Sequence, residues 1–311
     1  MAKTTGRALK SLKRDLRRDW QLYLFLILPV AYVIIFAYVP MGGLQIAFRK
    51  YSARLGVWGS RWVGLDNIEK FFNSYYFTMV IKNTLALSIY SILFGFPLPI
   101  LMALMVNCVK NRKYRNLAQT VTTLPHFISV VVLVGMVFQL FNARYGLYGV
   151  VVKALTGHLP EDPFATASNF QHFYVWSGIW QQFGWNAIVY IAALSGVDPS
   201  LHESAMVEGA SRMQRVWYID LPTILPTIVI MLILRMGSVM SIGFEKAFLM
   251  QNSVNLTYSE VISTYVYKQG LASSNSDFSY ATAIDLFNAV INLIMISITN
   301  FISRKLSDNS L

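Results

Sequence analysis

The sequence predicts an all-α integral membrane protein with six transmembrane helices, and three observations support this prediction. Only 13% of the 311 residues are charged, whereas soluble domains average about 25%. The apolar residues, 55% of the chain, gather in six long stretches. Seven basic residues between positions 3 and 18 directly precede the first of these stretches. This composition excludes a disordered chain and an ordinary soluble enzyme.

Each of the six stretches is close to the roughly 20 mostly apolar residues that cross a bilayer as a helix. The first is too long for the apolar region of a signal peptide and lacks a small-x-small cleavage site, so we expect an uncleaved anchor. The predicted spans are, in order, residues 22–39, 81–106, 121–141, 173–194, 224–242 and 281–302.

The distribution of basic residues predicts the orientation. With the N-terminus inside, the inner segments hold 15 Lys and Arg residues and the outer ones hold 10, while Arg235 lies within a span. Because the dense N-terminal cluster dominates this bias, both termini are expected to face the cytoplasm. Residues 1–20 are interpreted as a cytoplasmic basic segment lying on anionic lipid. The net charge of +11 therefore does not indicate a nucleic-acid partner.

Several spans contain features that a plain lipid anchor does not need. Two prolines at 97 and 99 must kink or open the second span, and another at 125 lies near the start of the third. Broken backbone at membrane depth is tolerated only against protein or a water-filled cavity. The fourth span is rich in polar residues between positions 181 and 190, which suits a lumen. The alternative is hydrogen bonding between helices without any ligand.

The motifs of common enzymes are missing from the sequence. There is no Gly-x-x-x-x-Gly-Lys-Ser/Thr loop to hold ATP and no Gly-x-Ser-x-Gly elbow. His202 and Glu203 begin a zinc-protease pattern, but Met206 stands where the second histidine is required. The single cysteine excludes a disulfide framework and a multi-cysteine metal site. We therefore expect no metal, no cofactor bound by this chain and no enzymatic activity, so transport energy would come from an ion gradient or another subunit.

The segment between the fourth and fifth spans, residues 195–222, is too structured for a passive connector. Asp198 is a good N-cap and Pro199 suits the first helical position. A short helix can run to Glu208, where Gly209 can take the left-handed turn that ends it. A second amphipathic segment follows. The two helices either form a docking site for a partner or lie on lipid headgroups.

This segment carries a sequence motif with long, fixed spacing. It resembles the E-A-A-x3-G-x9-I-x-L-P motif of the integral membrane subunits of binding-protein-dependent ABC importers. Ser204 departs from the usual alanine, and Glu208 from the common aspartate. The matching positions are Glu203, Ser204, Ala205, Gly209, Ile219, Leu221 and Pro222.

Other stretches resemble the sugar branch of that family, the maltose-permease-like group. Residues 62–67 and 82–85 resemble its first outer loop and the entry to span two. Residues 243–252, 261–267 and 280–287 resemble LplB-type permeases for oligosaccharides released from polysaccharides. The resemblance covers essentially everything after Trp20.

The resemblance implies a type I ABC importer permease fold in the cell membrane, with a permease domain over residues 21–311 and its core at about 75–305. It also implies three partners: a second, similar permease subunit, two cytoplasmic P-loop ATPase subunits that bind ATP and Mg, and an extracellular sugar-binding protein. Residues 195–222 would then be the coupling loop that the ATPase receives in a surface groove. A gradient-driven secondary transporter is the alternative, although no internal repeat supports it.

Two groups of residues are candidates for the sugar path. Arg235 and Asp285 are charged residues within spans, which marks them as functional candidates. They either pair with each other or contact sugar. Polar and aromatic side chains suit the hydroxyls and C–H faces of carbohydrates. The candidates of this kind are Gln182, Trp185, Asn186, Tyr190 and Asn288.

Overall fold

The computed structural model describes residues 18–306, and the part so described is almost entirely helical. Most of the predicted basic N-terminal segment, residues 1–17, lies outside the described residues, as do residues 307–311. The strands in the described part form one short antiparallel hairpin, in which Arg49 pairs with Trp62.

The first span is a long helical run that stands largely apart from the rest of the chain. Helix α1 (Trp20–Val33) continues through a π turn (Ile34–Tyr38) into α2 (Val39–Met41) and a 3-10 segment (Gly42–Phe48). No residue of α1 is buried by the rest of the described chain, and a helix that is apolar on every side suits a surrounding of lipid. The π turn accommodates Pro40, which has no N–H to donate and would clash with the preceding turn.

A small outer layer follows. Strands β1 (Arg49–Lys50) and β2 (Arg61–Trp62) flank α3 (Gly56–Gly59), and α4 (Asp66–Phe72) comes next. Helix α4 packs against the last helix of the chain. The outer layer thus ties the end of span one to the core.

The second span contains the predicted break. Helices α5 (Tyr76–Gly95) and α6 (Pro97–Asn107) are separated at Phe96, directly before the two prolines. Together they form a run of 32 residues, long and apolar enough to cross a membrane.

The stretch predicted as the third span is divided by a sharp bend. Helix α7 (Arg112–Thr123) and a 3-10 segment (Leu124–Phe127) are followed by α8 (Val130–Leu140), which turns away by 100°. The backbone is extended at Ile128 and Ser129, and the Ser129 hydroxyl caps α8 by accepting from the Val132 N–H. At about 1.5 Å per residue, α8 is about 16 Å long. It therefore reaches only about half the depth of the hydrocarbon core.

Helix α9 (Leu147–Thr156) and a 3-10 turn (Pro163–Ala165) lead to α10 (Asn169–Leu194). Helix α10 has 26 residues, a length of about 39 Å. It packs against α5, α6, α7 and the helix of span five, which makes it the central helix of the fold.

The predicted coupling loop, residues 195–222, is called the coupling segment from here on, and it leads into the fifth span. Helix α11 (Pro199–Val207) is followed by α12 (Arg212–Arg215), a π turn (Val216–Asp220) and α13 (Leu221–Met236). The unbroken run from Arg212 to Met236 corrects the predicted span 224–242 at both ends. At its end, the poor helix formers Gly237 and Ser238 begin a turn.

Short helices return the chain to its last span. They are α14 (Phe244–Met250), α15 (Leu256–Ser259), α16 (Ile262–Tyr267) and a π turn (Lys268–Ala272). Helix α17 (Phe278–Leu306) then forms the longest helix described and contains the predicted sixth span.

Four of the described helical runs are long and apolar enough to cross a membrane, and the bent pair α7–α8 would make a fifth. Helix α10 has the length, but its polar residues keep it outside this group. Buried residues form three clusters along the bundle. One of them, around α6, the end of α10 and the start of α13, lies directly beneath the coupling segment.

Candidate coupling surface and translocation cavity

The start of α11 is fixed by its own residues. The Asp198 carboxylate accepts the Ser200 N–H at 2.9 Å, and Pro199 occupies the first helical position. The hydrogen bonds from the backbone and hydroxyl of Ser200 lower the pKa of the Asp198 carboxyl. The cap therefore stays ionised at neutral pH and interacts favourably with the helix N-terminus.

The end of α11 is a left-handed glycine turn. Gly209 has φ +82°, its N–H donates to the Met206 carbonyl, and the Ala210 N–H donates to the Ala205 carbonyl. This pair of hydrogen bonds is the Schellman motif, which favours glycine because other residues are strained at that φ. The predicted helix, its cap and its terminating glycine are therefore all present.

Helix α12 begins directly after this turn with a reciprocal cap. The Ser211 hydroxyl accepts the Gln214 N–H, and the Gln214 side chain accepts the Ser211 N–H at 2.7 Å. Such a capping box satisfies two backbone donors at once. Two short, well-capped helices thus meet at Gly209, as the sequence predicts.

The motif residues divide into an exposed part and a packed part. Glu203, Ser204 and Gly209 are exposed, and Ala205 is half-buried. Ile219 and Leu221 pack against the buried cluster beneath the coupling segment, while Pro222 is exposed at the start of α13. Beside the exposed part, large apolar side chains of α11 face outward, with Val207 89% exposed.

A polar contact that sequence reasoning missed holds α11 to the body of the protein. His202 Nε2 lies 3.2 Å from Asp220 Oδ1, and Asn107 Nδ2 donates to the same oxygen at 3.3 Å. Asp220 is only 2% exposed. The contact, which we call the latch, joins α11 to the end of α6 and the start of α13. An acidic residue between the apolar Ile219 and Leu221 was the available signal.

A cavity of about 530 Å³ lies between α5, α6, α10, α13 and α14. Of the seven predicted path residues, four line it: Gln182, Asn186, Tyr190 and Arg235. Sequence reasoning missed Lys246 of α14, together with the serine hydroxyls of α5 and of the segment after α13 that also line the cavity.

Trp185 does not line this cavity. Its ring stacks on His126, with centroids 4.1 Å apart and planes 7° from parallel, and Gln182 Oε1 lies 2.9 Å from His126 Nδ1. One face of the indole is therefore used to pack α10 against the 3-10 segment before α8. A role of Trp185 as a sugar platform stays a prediction.

Asp285 and Asn288 also lie away from the cavity. Asp285 is exposed on α17, whereas Asn288 is buried with its Oδ1 lacking a hydrogen-bond partner. Within residues 18–306 no ion pair joins Arg235 to Asp285. Arg235 lies one residue before the end of α13.

Exchanging the two charges, in the double variant Arg235→Asp with Asp285→Arg, is expected not to restore transport lost in Arg235→Asp alone. The two side chains form no ion pair that the exchange could rebuild. Substrate uptake by membranes containing equal amounts of each variant measures this, with Asp285→Asn as the control. Recovery of wild-type uptake in the double variant would show that the residues pair.

Comparisons with known proteins agree with this geometry. The family described as "Binding-protein-dependent transport system inner membrane component" matches residues 95–308. Protein LplB of Bacillus subtilis is 39% identical over 95% of this chain and 92% of its own length. The polygalacturonan/rhamnogalacturonan transport system permease protein YteP of the same organism is 36% identical over 93% of this chain and 89% of its own.

A solved structure has the same fold. The crystal structure of a bacterial ABC transporter involved in the import of the acidic polysaccharide alginate contains a chain that is 38% identical to this one. It superposes with a TM-score of 0.86 over 96% of this chain and 99% of its own. The same transporter is also known in complex with a periplasmic protein carrying an alginate pentasaccharide.

These matches confirm the resemblance to LplB-type permeases and favour an ABC importer permease over a gradient-driven carrier. They also agree with a multi-pass protein of the cell membrane. The chain belongs to the family of inner membrane components of binding-protein-dependent transport systems.

Proposed function

We propose that this chain is one of two permease subunits of an ATP-driven importer for oligosaccharides released from a polysaccharide. One observation carries the proposal: two of the helices that line the cavity, α10 and α13, adjoin the coupling helices α11 and α12 in the chain. Helix α10 leads into α11 within five residues, and α13 extends without interruption from α12. A displacement of α11 and α12 would therefore move two walls of the cavity.

Six spans with both termini in the cytoplasm are part of this proposal. Four helical runs and the bent pair α7–α8 supply five spans, and α10 supplies the sixth. At about 39 Å, α10 exceeds the roughly 30 Å of the hydrocarbon core. Its polar residues Gln182 and Asn186 line the cavity, so they need not meet lipid.

The exposed part of the coupling segment is proposed to dock on a cytoplasmic P-loop ATPase, which would bind the ATP and Mg. Val207 and Met206 present apolar surface, and Glu203 offers a charge-assisted hydrogen bond to a basic group. A membrane protein otherwise gains nothing by holding such surface in water. ATP-driven closure of two ATPase subunits would bring two such segments together and turn the cavity outward.

A second, similar permease subunit would complete the cavity. Asn186 and Arg235 line it yet are exposed in this chain, which leaves that side open. Helix α1 likewise has no buried residue. Polar groups at membrane depth must face protein or water, so a neighbouring subunit on this side accounts for the open wall.

The groups that line the cavity suit a sugar substrate. Amides from α10 and hydroxyls from α5 and from the segment after α13 line it, and such groups pair with sugar hydroxyls. YteP is named for polygalacturonan and rhamnogalacturonan transport, and the solved relative is involved in alginate import. An extracellular binding protein would deliver the substrate, as the periplasmic protein carries alginate pentasaccharide in that system.

Purification of the tagged chain in mild detergent from its native host tests this function. We expect a P-loop ATPase and a second six-span protein to co-purify. The reconstituted complex should take up oligosaccharide only with ATP and the binding protein. An untagged strain is the control. A chain that purifies alone and transports with an ion gradient would be a secondary carrier instead.

A further inference from the structure

One end of the cavity carries two cations, Lys246 and Arg235. The residues that line the cavity include no aspartate or glutamate. Glu245, next to Lys246 in the chain, is exposed and does not line it. The cavity therefore has a net positive charge at the place where a transported molecule would pass.

Contacts with Tyr174 fix the position of the Lys246 ammonium. Its Nζ donates to the Tyr174 carbonyl at 2.6 Å and lies 4.8 Å from the centre of the Tyr174 ring. A Cβ at Gly178 would lie only 2.9 Å from Nζ, so this glycine makes room for the ammonium. Lys246 is 8% exposed, and within the described residues no carboxylate pairs with it.

In the described part of the chain, the buried charge of the Lys246 ammonium is not balanced by an anion. Removing a charge from water costs several kcal/mol unless an opposite charge and hydrogen bonds compensate. One carbonyl and one ring satisfy only part of the three-donor group. A carboxylate that enters the cavity beside Lys246 would complete it.

Arg235 of α13 supplies the second cation. It lies in the last turn of α13, lines the cavity and is exposed. The dipole of α13 favours a cation at this end of the helix. A guanidinium binds a carboxylate through two parallel hydrogen bonds.

The two cations lie at the end of the cavity away from the coupling helices. Lys246 contacts α10 at Tyr174 and Gly178, whereas Tyr190 lines the other end, twelve residues further along than Gly178. This separation corresponds to about 18 Å. The neutral amides of Gln182 and Asn186 lie between. The cavity thus has a cationic mouth and a neutral interior.

We propose that Lys246 and Arg235 form a carboxylate-binding site at the outer mouth of the cavity, and that the transported oligosaccharide contains uronic acid. The inference rests on the proposed function and names its substrate class. The carboxylate binds the cationic mouth, while the sugar hydroxyls meet the amides of α10.

Uptake of trigalacturonate and of its methyl ester by the reconstituted complex tests this site. The ester keeps the sugar backbone and removes the negative charge. Each substrate is supplied at a concentration that saturates the binding protein. Hydrogen bonds to charged groups contribute about 1.5–3 kcal/mol, so Lys246→Met or Arg235→Gln is expected to reduce uptake of the acid at least tenfold. Uptake of the ester should change less than about twofold.

Three further variants control for folding and for general loss of charge. Lys246→Arg and Arg235→Lys keep the cations and should retain most uptake of the acid. Lys153→Met removes an exposed lysine of α9 that does not line the cavity, and it should behave as wild type. Equal losses for acid and ester in the cavity variants, or wild-type import of neutral oligosaccharides only, would overturn the carboxylate site. Absence of ATP-dependent uptake of any oligosaccharide would instead refute the proposed function.

Discussion

Replacing Gly209 by aspartate is expected to reduce transport at least tenfold while leaving the protein inserted in the membrane. Gly209 has φ +82°, and a residue with a side chain costs about 1–2 kcal/mol in that conformation. Where the strained turn has to dock on a partner, about 1.4 kcal/mol corresponds to a tenfold weaker contact. The added carboxylate would also stand at the turn between α11 and α12, where we propose that the ATPase docks. Oligosaccharide uptake and ATP hydrolysis by the same reconstituted complex measure the effect.

Gly157 offers a matched control because it ends α9 with φ +78° and has open space around it, as Gly209 does. Gly157→Asp carries the same backbone strain away from the coupling segment and should retain wild-type uptake. Gly209→Ala adds the backbone strain without the charge. Its uptake should lie between that of wild type and that of Gly209→Asp. Normal uptake by a fully inserted Gly209→Asp variant would rule out a coupling role for this turn.

The coupling segment could be predicted in detail because local rules determine it. An aspartate that caps, a proline at the first helical position and a glycine that ends the helix act within a few residues of one another. The structure contains all three, at Asp198, Pro199 and Gly209. The docking role of the motif residues stays a prediction.

The sequence was sufficient to locate the membrane spans but not to predict where their helices begin and end. Apolar composition identifies a segment that favours lipid, yet the ends of a helix depend on turns and caps. Gly237 ended the fifth span earlier than its apolar pattern indicated, and the extended Ile128 and Ser129 divided the third. Helix α10 shows the reverse case. Its polar residues line a cavity, and they lower the mean hydropathy of a helix that is long enough to cross a membrane.

The cavity could be predicted only in part because its lining comes from distant segments. The polar face of α10 was visible in the sequence, and three of its four predicted residues line the cavity. Trp185 faces His126 instead, a contact across 59 positions that no local pattern encodes. Lys246 lies in a short helix outside the predicted spans, and only the fold brings it against Tyr174.

Breaking the latch at Asp220 is expected to uncouple ATP hydrolysis from transport. Asp220 accepts from Asn107 and contacts His202 while almost fully buried. In Asp220→Ala, His202 and Asn107 lose their shared acceptor, and a hydrogen bond to a charged group contributes about 1.5–3 kcal/mol. Helix α11 has no buried residue of its own, so it depends on this contact for its position. We expect uptake to fall about tenfold, with less oligosaccharide moved per ATP hydrolysed.

Graded variants distinguish a positioning role from a loss of stability. Asp220→Asn keeps an acceptor oxygen and should lose less uptake than Asp220→Ala. His202→Ala removes the contact from the α11 side and should likewise lower the ratio of oligosaccharide moved to ATP hydrolysed, while His158→Ala, at an exposed histidine outside the coupling segment, should leave that ratio unchanged. If the His202 and Asp220 variants lower uptake and hydrolysis in equal proportion, the latch supports assembly rather than coupling. An unchanged ratio together with normal uptake would show that α11 is held by its ATPase partner alone.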